Sequence, residues 1–354
     1  MEEGLKSKLM ALDGPVLVTG HTGFKGTWIT LLLQALKIPV VGYSLEPEVE
    51  SLFARAGRKG IIPEVFDDIR NYDSLSRCIN DFKPSAIIHM AAQSLVLESY
   101  LKPRYTFEVN LLGTTNVLDL AFRSSSVSSV LVVTSDKVYK NKNFGLAFKE
   151  DDELRGKDPY SASKVATESA VDAWRQISKT EGGPKVISVR AGNVIGGGDY
   201  AENRLLPDVV RSILTNKPAE IRNPRSVRPW QHVLDPIYGY LKILADLNAK
   251  DFAESFNFGP DEYLEVSQVI EICKKHKFCH KAKFNFSTSE DLDSREAQLL
   301  KLDSTRARNE LNWKPKFNTK QSIELTLDWW EAVSLQGYSA QDRTEFEVQK
   351  YLDT

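Results

Sequence analysis

Short apolar runs recur through the first half of the chain, separated by stretches with helical spacing. Val16-Leu17-Val18-Thr19, Val40-Val41-Gly42-Tyr43, Ile87-Ile88-His89, Val130-Leu131-Val132-Val133 and Val186-Ile187-Ser188-Val189 read as strands. Their hydrophobicity is continuous rather than alternating, the pattern of strands covered on both faces. Between them, Thr27 to Leu36 and Leu111 to Phe122 read as helices. Strands alternating with helices imply parallel crossovers. The expected fold class is α/β: a Rossmann-type, doubly wound parallel sheet.

After Arg190 the rhythm changes. Gly196-Gly197-Gly198 makes a flexible turn, and Pro207, Pro218, Pro224 and Pro229 punctuate the chain beyond it. This predicts a dinucleotide-binding domain over 1–190 and a smaller mixed α/β substrate-binding lobe over 191–354. Phe256-Asn257-Phe258 is expected to return to the sheet from near 230–260. The amphipathic helix Ile323 to Val333 carries Trp329 and Trp330, which are assigned to packing.

Composition narrows the classes. A chain of 354 residues can bury a large core, and a net charge of -2 makes no electrostatic case for nucleic acid or an anionic membrane as partner. No apolar run is long enough to span a bilayer, and Met1-Glu2-Glu3-Gly4 lacks the pattern of an export signal. Three cysteines make no disulfide framework, so the cytoplasm is the expected compartment. Cys273, His276, Cys279 and His280 cluster, but no second ligand pair completes a zinc spacing, and no metal is expected.

The chemistry starts after the first strand. Gly20-His21-Thr22-Gly23-Phe24-Lys25-Gly26 links strand to helix, with glycines spaced three and three. Glycine lets backbone approach a pyrophosphate, and the helix N-terminus offers it N–H groups and a positive dipole end. The expected cofactor is a dinucleotide. Near the second strand's end, Ser44 and Glu46 are the candidates for the adenosine ribose, and no arginine follows for a 2′-phosphate, which favours NAD over NADP. Asp68-Ile69 is placed at the adenine. Ala91, Ala92 and Gln93 close the cofactor crevice, with Gln93 toward substrate or nicotinamide ribose, while His89 reads as structural.

Tyr160 and Lys164 lie four apart, on one face of a helix. There a cation can lower the phenol's pKa and make tyrosinate a usable base. Ser135, Asp136 and Lys137 follow a strand and offer a hydroxyl, a carboxylate and an amine. Together these residues read as oxidation at a hydroxyl with further acid–base chemistry beside it.

The glycine loop, the Tyr160/Lys164 pair and the Asn110 helix resemble the extended short-chain dehydrogenase/reductases, which act mainly on nucleotide sugars. Within them, Thr19 to Gly26, Ser135-Asp136-Lys137, Arg190 to Asp199, Arg228-Pro229-Trp230-Gln231-His232-Val233 and Phe256 to Pro260 are similar to motifs of the CDP-glucose 4,6-dehydratases. The resemblance runs along nearly the whole chain. It implies a lyase cycle: NAD⁺ takes a hydride from C4 while Tyr160 takes the C4 hydroxyl proton, water leaves across C5/C6, and the hydride returns at C6. Asp136 is then the acid for the C6 hydroxyl, and Ser135 holds the C4 oxygen. Lys137 stands where dTDP-glucose dehydratases carry a glutamate base, so it either loses its proton to act on C5–H or stabilises the enolate as a cation. Asn193, Arg204, Leu205 and Arg228 become nucleotide-sugar contacts, as does Arg295, which departs from the family's usual histidine. His21 stands in the cofactor loop where many relatives carry glycine, and if it crowds the pyrophosphate NAD exchanges more easily. The resemblance also implies a homodimer through Val109 to Phe122 and Lys164 to Gln176, and a place in deoxysugar biosynthesis for lipopolysaccharide O-antigen. The alternatives are a 4,6-dehydratase of another nucleotide sugar, a 4-epimerase, and an NAD-sensing regulator.

Overall fold

The computed structural model describes residues 2–141, 145–247, 253–286 and 298–354. Seven parallel strands form the central sheet: β1 (Val16–Thr19), β2 (Val40–Ser44), β3 (Glu64–Phe66), β4 (Ala86–His89), β5 (Ser129–Val133), β6 (Lys185–Ala191) and β7 (Ser255–Phe258). They lie in the order β7-β6-β5-β4-β1-β2-β3. The chain runs outward from β1 to β3, then restarts at β4 on the other side of β1. Val16 thus faces Val40 on one side and Ala86 on the other. That reversal opens a crevice beyond the carboxyl ends of β1 and β4, where sheets of this kind bind ligands.

Alternate residues of each strand feed opposite layers. Leu17, Ile87, Val130, Val132 and Val186 pack with the layer that holds α3 (Gly113–Arg123) and α4 (Pro159–Glu181). Val16, Val18, Ile88, Leu131 and Val189 join the core that includes α2 (Phe24–Ala35) and α6 (Leu234–Asp246). This is why the strands show no polar alternation. The preceding helix, α1 (Glu2–Met10), adds Leu5 and Leu9 to the second core.

Beyond β6 the chain adds α5 (Leu205–Thr215) and three two-stranded pairs, among them Val194–Ile195 with Gln231–His232. Two last helices, α7 (Thr319–Leu335) and α8 (Ala340–Asp353), return to the core, and Trp329 Nε1 donates to Thr344 Oγ1 at 2.9 Å. Trp329 also fills the space at Gly197, where a Cβ would stand 1.9 Å from its ring. The tryptophans are therefore packing residues.

Two elements differ from their sequence reading. α2 begins at Phe24, so the loop's last glycine already lies in the helix. The helix expected from Leu111 opens with a π-helical segment, Glu108–Leu112, before α3. Within the cysteine–histidine cluster, Cys273 and Cys279 are buried in the core beside each other, their thiols hydrogen-bonded, while His276 Nε2 lies 3.2 Å from Asp328 Oδ1.

Candidate active site

The glycine loop sits at the mouth of the crevice. Gly20 has φ +76°, the left-handed region that favours glycine, and its N–H donates to Tyr43 O at 2.8 Å. A Cβ on Gly26 would lie 2.1 Å from Gly20 O. Close packing thus brings loop, helix and the Ala91 backbone together. α2 starts with no side-chain cap and no acidic residue in its first turn, leaving its N–H groups to an outside anion. These features fit a dinucleotide's pyrophosphate. Ser44 Oγ lies 2.7 Å from Thr22 Oγ1, which places a hydroxyl pair where β2 ends. Glu46 instead sits on the exposed surface with Lys59.

The His21 side chain turns into the protein. Its ring is fully buried, with Nε2 2.9 Å from Glu64 Oε2, and it occupies the space over Gly42, where a Cβ would be 2.5 Å away. The ring packs edge-on to Phe53, toward β2 and β3. Burial lowers its pKa, the Glu64 hydrogen bond opposing. Asp68 is also engaged: hydrogen bonds from Arg70 hold its carboxyl below the usual range. Ile69 is buried against Gly113.

Beyond β4, Thr19 Oγ1 accepts the N–H groups of Met90 and Ala91 at 3.1 and 3.2 Å. Its hydroxyl is then the donor to His89 Nδ1 at 2.7 Å, and His89 Nε2 bonds Thr114 Oγ1 at 2.9 Å. Both ring nitrogens are used, and burial pushes the imidazole down to about 3. His89 is structural. Ala91 and Ala92 are half-buried at the crevice. Gln93 turns back on its own loop: Nε2 donates to Leu95 O and Thr106 Oγ1, and Oε1 accepts Leu95 N–H. Its side chain holds the loop rather than reaching outward. Asn110, buried completely, brackets the Gln93 backbone through both amide atoms and donates to Ser163 Oγ at 2.9 Å. It ties the loop to α4.

α4 has a clear start signal. Asp158 accepts the Ser161 N–H, Ser161 Oγ returns to Asp158, and Pro159 fills the first turn. This register sends Tyr160, Lys164 and Glu168 inward from one helix face. Tyr160 is 7% exposed, and Ser135 hydrogen-bonds its phenol. Burial pushes the phenol up to about 12, with Ser135 opposing. Lys164 donates to Val133 O at 3.2 Å, and burial pushes its ammonium down to about 8. The expected depression of the phenol by Lys164 is therefore not what the protein groups produce. The ammonium is drawn to the strand-end carbonyl, and desolvation prevails.

Asp136 faces the same space. It is 4% exposed, burial raises its pKa against the fields of Lys137 and Arg228, and Ser135 Oγ donates to its Oδ1 at 3.2 Å. Its Oδ2 has no partner among the described residues. A buried carboxyl pushed up in this way suits a general acid. Lys137 places its Nζ 5.8 Å from the centre of the Tyr160 ring. Ser135, Asp136, Lys137, Tyr160 and Lys164 thus come together as the sequence predicts.

From the chain beyond β6, Arg228 is buried in the field of Asp136, and Arg204, bonded to Asp199 at 3.0 Å, acts on Tyr160 and Lys25. Leu205 opens α5, and Asn193 accepts the Gln231 N–H through its carbonyl. Arg295 lies outside the described residues.

Glu168 escaped the sequence reading, and Lys25, counted there with the cofactor loop, points where the reading did not say. Lys25 carries its side chain inward to Tyr240 Oη at 3.4 Å, and burial lowers its ammonium to about 8, Arg204 and Lys164 adding to the effect and Asp136 opposing it. Nothing in the loop motif signals that direction. Glu168 accepts from Thr134 (2.5 Å), Ser188 (2.8 Å) and Arg190 (2.8 and 2.9 Å). Burial works against its ionisation, but these bonds outweigh it and hold its pKa low. Its place four residues beyond Lys164 was the available signal.

Fold and site define a member of the extended short-chain dehydrogenase/reductases, a sheet with a dinucleotide loop and an inward Tyr/Lys pair. A family model described as GDP-mannose 4,6 dehydratase matches residues 17–326. The chain belongs to that family. It is 37% identical over 326 residues to the CDP-glucose 4,6-dehydratase of Salmonella typhimurium, covering 90% of each chain. It is 26% identical to a dTDP-glucose 4,6-dehydratase of Xanthomonas campestris, over 89% of this chain and 92% of that one. Among solved structures, the NAD complex of Thermus thermophilus UDP-glucose 4-epimerase superposes with a TM-score of 0.77 at 25% identity, covering 90% of this chain and 99% of the other. The NAD complex of dTDP-glucose 4,6-dehydratase from Bacillus anthracis shares the fold, with a TM-score of 0.74 at 21% identity, over 94% and 99% of the two chains.

Proposed function

We propose that this protein is an NAD-dependent lyase that converts CDP-glucose to CDP-4-keto-6-deoxyglucose. The observation that carries the reading is Asp136, a buried carboxyl with a raised pKa, next to Lys137 and joined to Tyr160 through Ser135. A 4-epimerase loses no water and has no use for an acid there. The choice of CDP-glucose rests on the 37% identity to the Salmonella enzyme of that name.

Bound NAD supplies the chemistry of taking a hydride from C4 and giving it back at C6. The protein's own groups manage the protons. Tyr160 accepts the C4 hydroxyl proton, and Ser135 orients that oxygen. Oxidation at C4 acidifies C5–H, which we assign to the Lys137 amine. Asp136 protonates the C6 hydroxyl so that water, not hydroxide, departs. Arg204, Arg228 and Lys25 supply positive charge for phosphate groups. Replacing Lys137 with methionine should abolish C5 exchange with solvent while C4 oxidation persists; continued exchange would remove Lys137 from this role.

We also read the enzyme as a cytoplasmic homodimer that serves O-antigen deoxysugar synthesis. The dimer would pair 109–122 and 164–176 with their copies, a region that includes half-exposed Leu112.

The direct test is mass spectrometry after incubating the protein and NAD⁺ with CDP-, dTDP-, UDP- and GDP-sugars. Loss of one water from CDP-glucose alone is the expected result. Loss from another sugar would overturn the substrate, and no loss from any would overturn the reaction.

A further inference from the structure

We propose that the buried Glu168–Arg190 pair is a positioning clamp, gripping both ends of the turn that carries Ser135, Asp136 and Lys137. It holds that turn in register with the Tyr160/Lys164 helix, and water loss at C5/C6 depends on it more than oxidation at C4. The inference rests on the dehydratase reading and adds residues that act through the catalytic groups rather than on the sugar.

The two halves of the reaction draw on different elements. Tyr160 and Lys164 stand on α4, whereas Asp136 and Lys137 stand on the turn between β5 and Tyr139. Both sets must meet one sugar ring, the first at C4 and the second at C5 and C6. Their relative placement therefore matters to the rate, and a misplacement of about 1 Å can cost about a hundredfold.

Helix α4 reaches the near end of the turn twice. Lys164 Nζ donates to Val133 O at 3.2 Å, and one helical turn later Glu168 Oε1 accepts the Thr134 hydroxyl at 2.5 Å. Arg190, on β6, completes the grip. Its Nε and Nη2 donate to Glu168 Oε1 and Oε2 at 2.8 and 2.9 Å, and its Nη1 donates to the Tyr139 hydroxyl at 2.9 Å. Tyr139 is the first residue past the short helix Asp136–Val138. The same ion pair thus holds the chain just before Ser135 and just after Val138. The Tyr139 hydroxyl donates in turn to Asn257 Oδ1 on β7 at 2.7 Å.

The carboxylate at the centre is saturated. Each Glu168 oxygen accepts two bonds, Ser188 Oγ supplying the last at 2.8 Å. Arg190 Nη1 also donates to Glu150 O at 2.8 Å. Thr134, Tyr139, Glu168, Ser188 and Arg190 are all buried. A buried ion pair contributes little net stability, because desolvation offsets its attraction. What the planar guanidinium fork does supply is fixed direction. Direction is the property a catalytic turn needs from its supports.

Removing either charge would leave the other buried alone, so the test cuts the two hydroxyl links instead. Thr134→Val and Tyr139→Phe both keep the ion pair, and Thr134→Ser keeps the hydroxyl as well. Each enzyme, in excess over CDP-glucose and supplied with NAD⁺, is followed through one turnover by the absorbance of the reduced cofactor. The rise reports C4 oxidation, and the decay waits on water loss. Both variants should show a rise within about threefold of wild type and a decay at least about tenfold slower, so that reduced cofactor accumulates. Thr134→Ser should behave as wild type. A loss of folded protein alone lowers the amplitude and leaves the two rates unchanged. Equal slowing of rise and decay, or a decay within about threefold of wild type, overturns the clamp. Tyr139→Phe, which keeps its ring stacked on Phe148, decides the matter if Thr134→Val does not fold. Absence of 4-keto-6-deoxy product from the wild-type enzyme would instead overturn the reaction itself, a result distinct from either rate pattern.

Discussion

Adding a single methyl group at Gly26 should separate cofactor binding from folding. In Gly26→Ala the new Cβ would stand 2.1 Å from Gly20 O and 2.7–2.8 Å from the His21 backbone, where ordinary contact begins near 3.4 Å. All three neighbours are main-chain atoms, so no rotamer change relieves the clash. Gly20 cannot retreat easily either. Its N–H is bonded to Tyr43 O at 2.8 Å, and the Ala91 backbone N lies 2.8 Å from where a Cβ on Gly20 would stand. The loop must open by roughly 1 Å, and overpacking of this kind costs about 1–3 kcal/mol. If the loop holds the pyrophosphate as proposed, that cost weakens NAD binding by about 5- to 150-fold. Calorimetric titration with NAD⁺ reads the effect, with Gly4→Ala as control because nothing lies within 4 Å of a Cβ there. NAD affinity within about twofold of wild type, at an unchanged melting midpoint, would refute the assignment of this loop to the cofactor.

Three further outcomes concern buried groups. Glu168→Gln leaves the Arg190 guanidinium buried without its carboxylate, a change that costs about 3–5 kcal/mol, and urea unfolding should show a loss of that size. Lys164 has a folded pKa of about 8 against 10.5 for the ordinary side chain, so the penalty for its charge is complete below about pH 8 and is relieved as the pH rises toward 10.5. Lys164→Met should therefore be the more stable protein near neutrality but inactive, with its advantage over wild type shrinking across that window in pH-dependent thermal melts; an advantage independent of pH would contradict the shift. Gly197→Ala would press a methyl within 1.9 Å of the Trp329 ring, and should lower the melting midpoint without altering NAD affinity in the surviving folded fraction.

The central strands were legible because β1, β4 and β5 are buried on both faces and so read as unbroken apolar runs. β3 was not, since Glu64–Phe66 is three half-buried residues at the sheet's edge with little periodic signal. The Tyr160/Lys164 pair was visible for a different reason. Helical spacing alone places both on one face, and Glu168 obeys the same rule one turn later. Directions set by tertiary neighbours were beyond reach. His21 turns toward Glu64 because Gly42 leaves room for its ring, and Gln93 turns toward Leu95 and Thr106 because its loop needs those bonds. Lys25 reaches Tyr240, which lies on a helix more than two hundred positions later. Spacing identifies which residue types gather, whereas packing decides which way each one points.

The most direct test of the reaction uses CDP-glucose carrying deuterium at C4, incubated with the protein and a catalytic amount of NAD⁺, with the product examined by NMR. A cofactor restored within each cycle predicts a 4-keto-6-deoxy sugar whose C6 methyl contains the deuterium. A product with unlabelled C6, deuterium accumulating in free NADH, or recovery of a 4-epimer would contradict it.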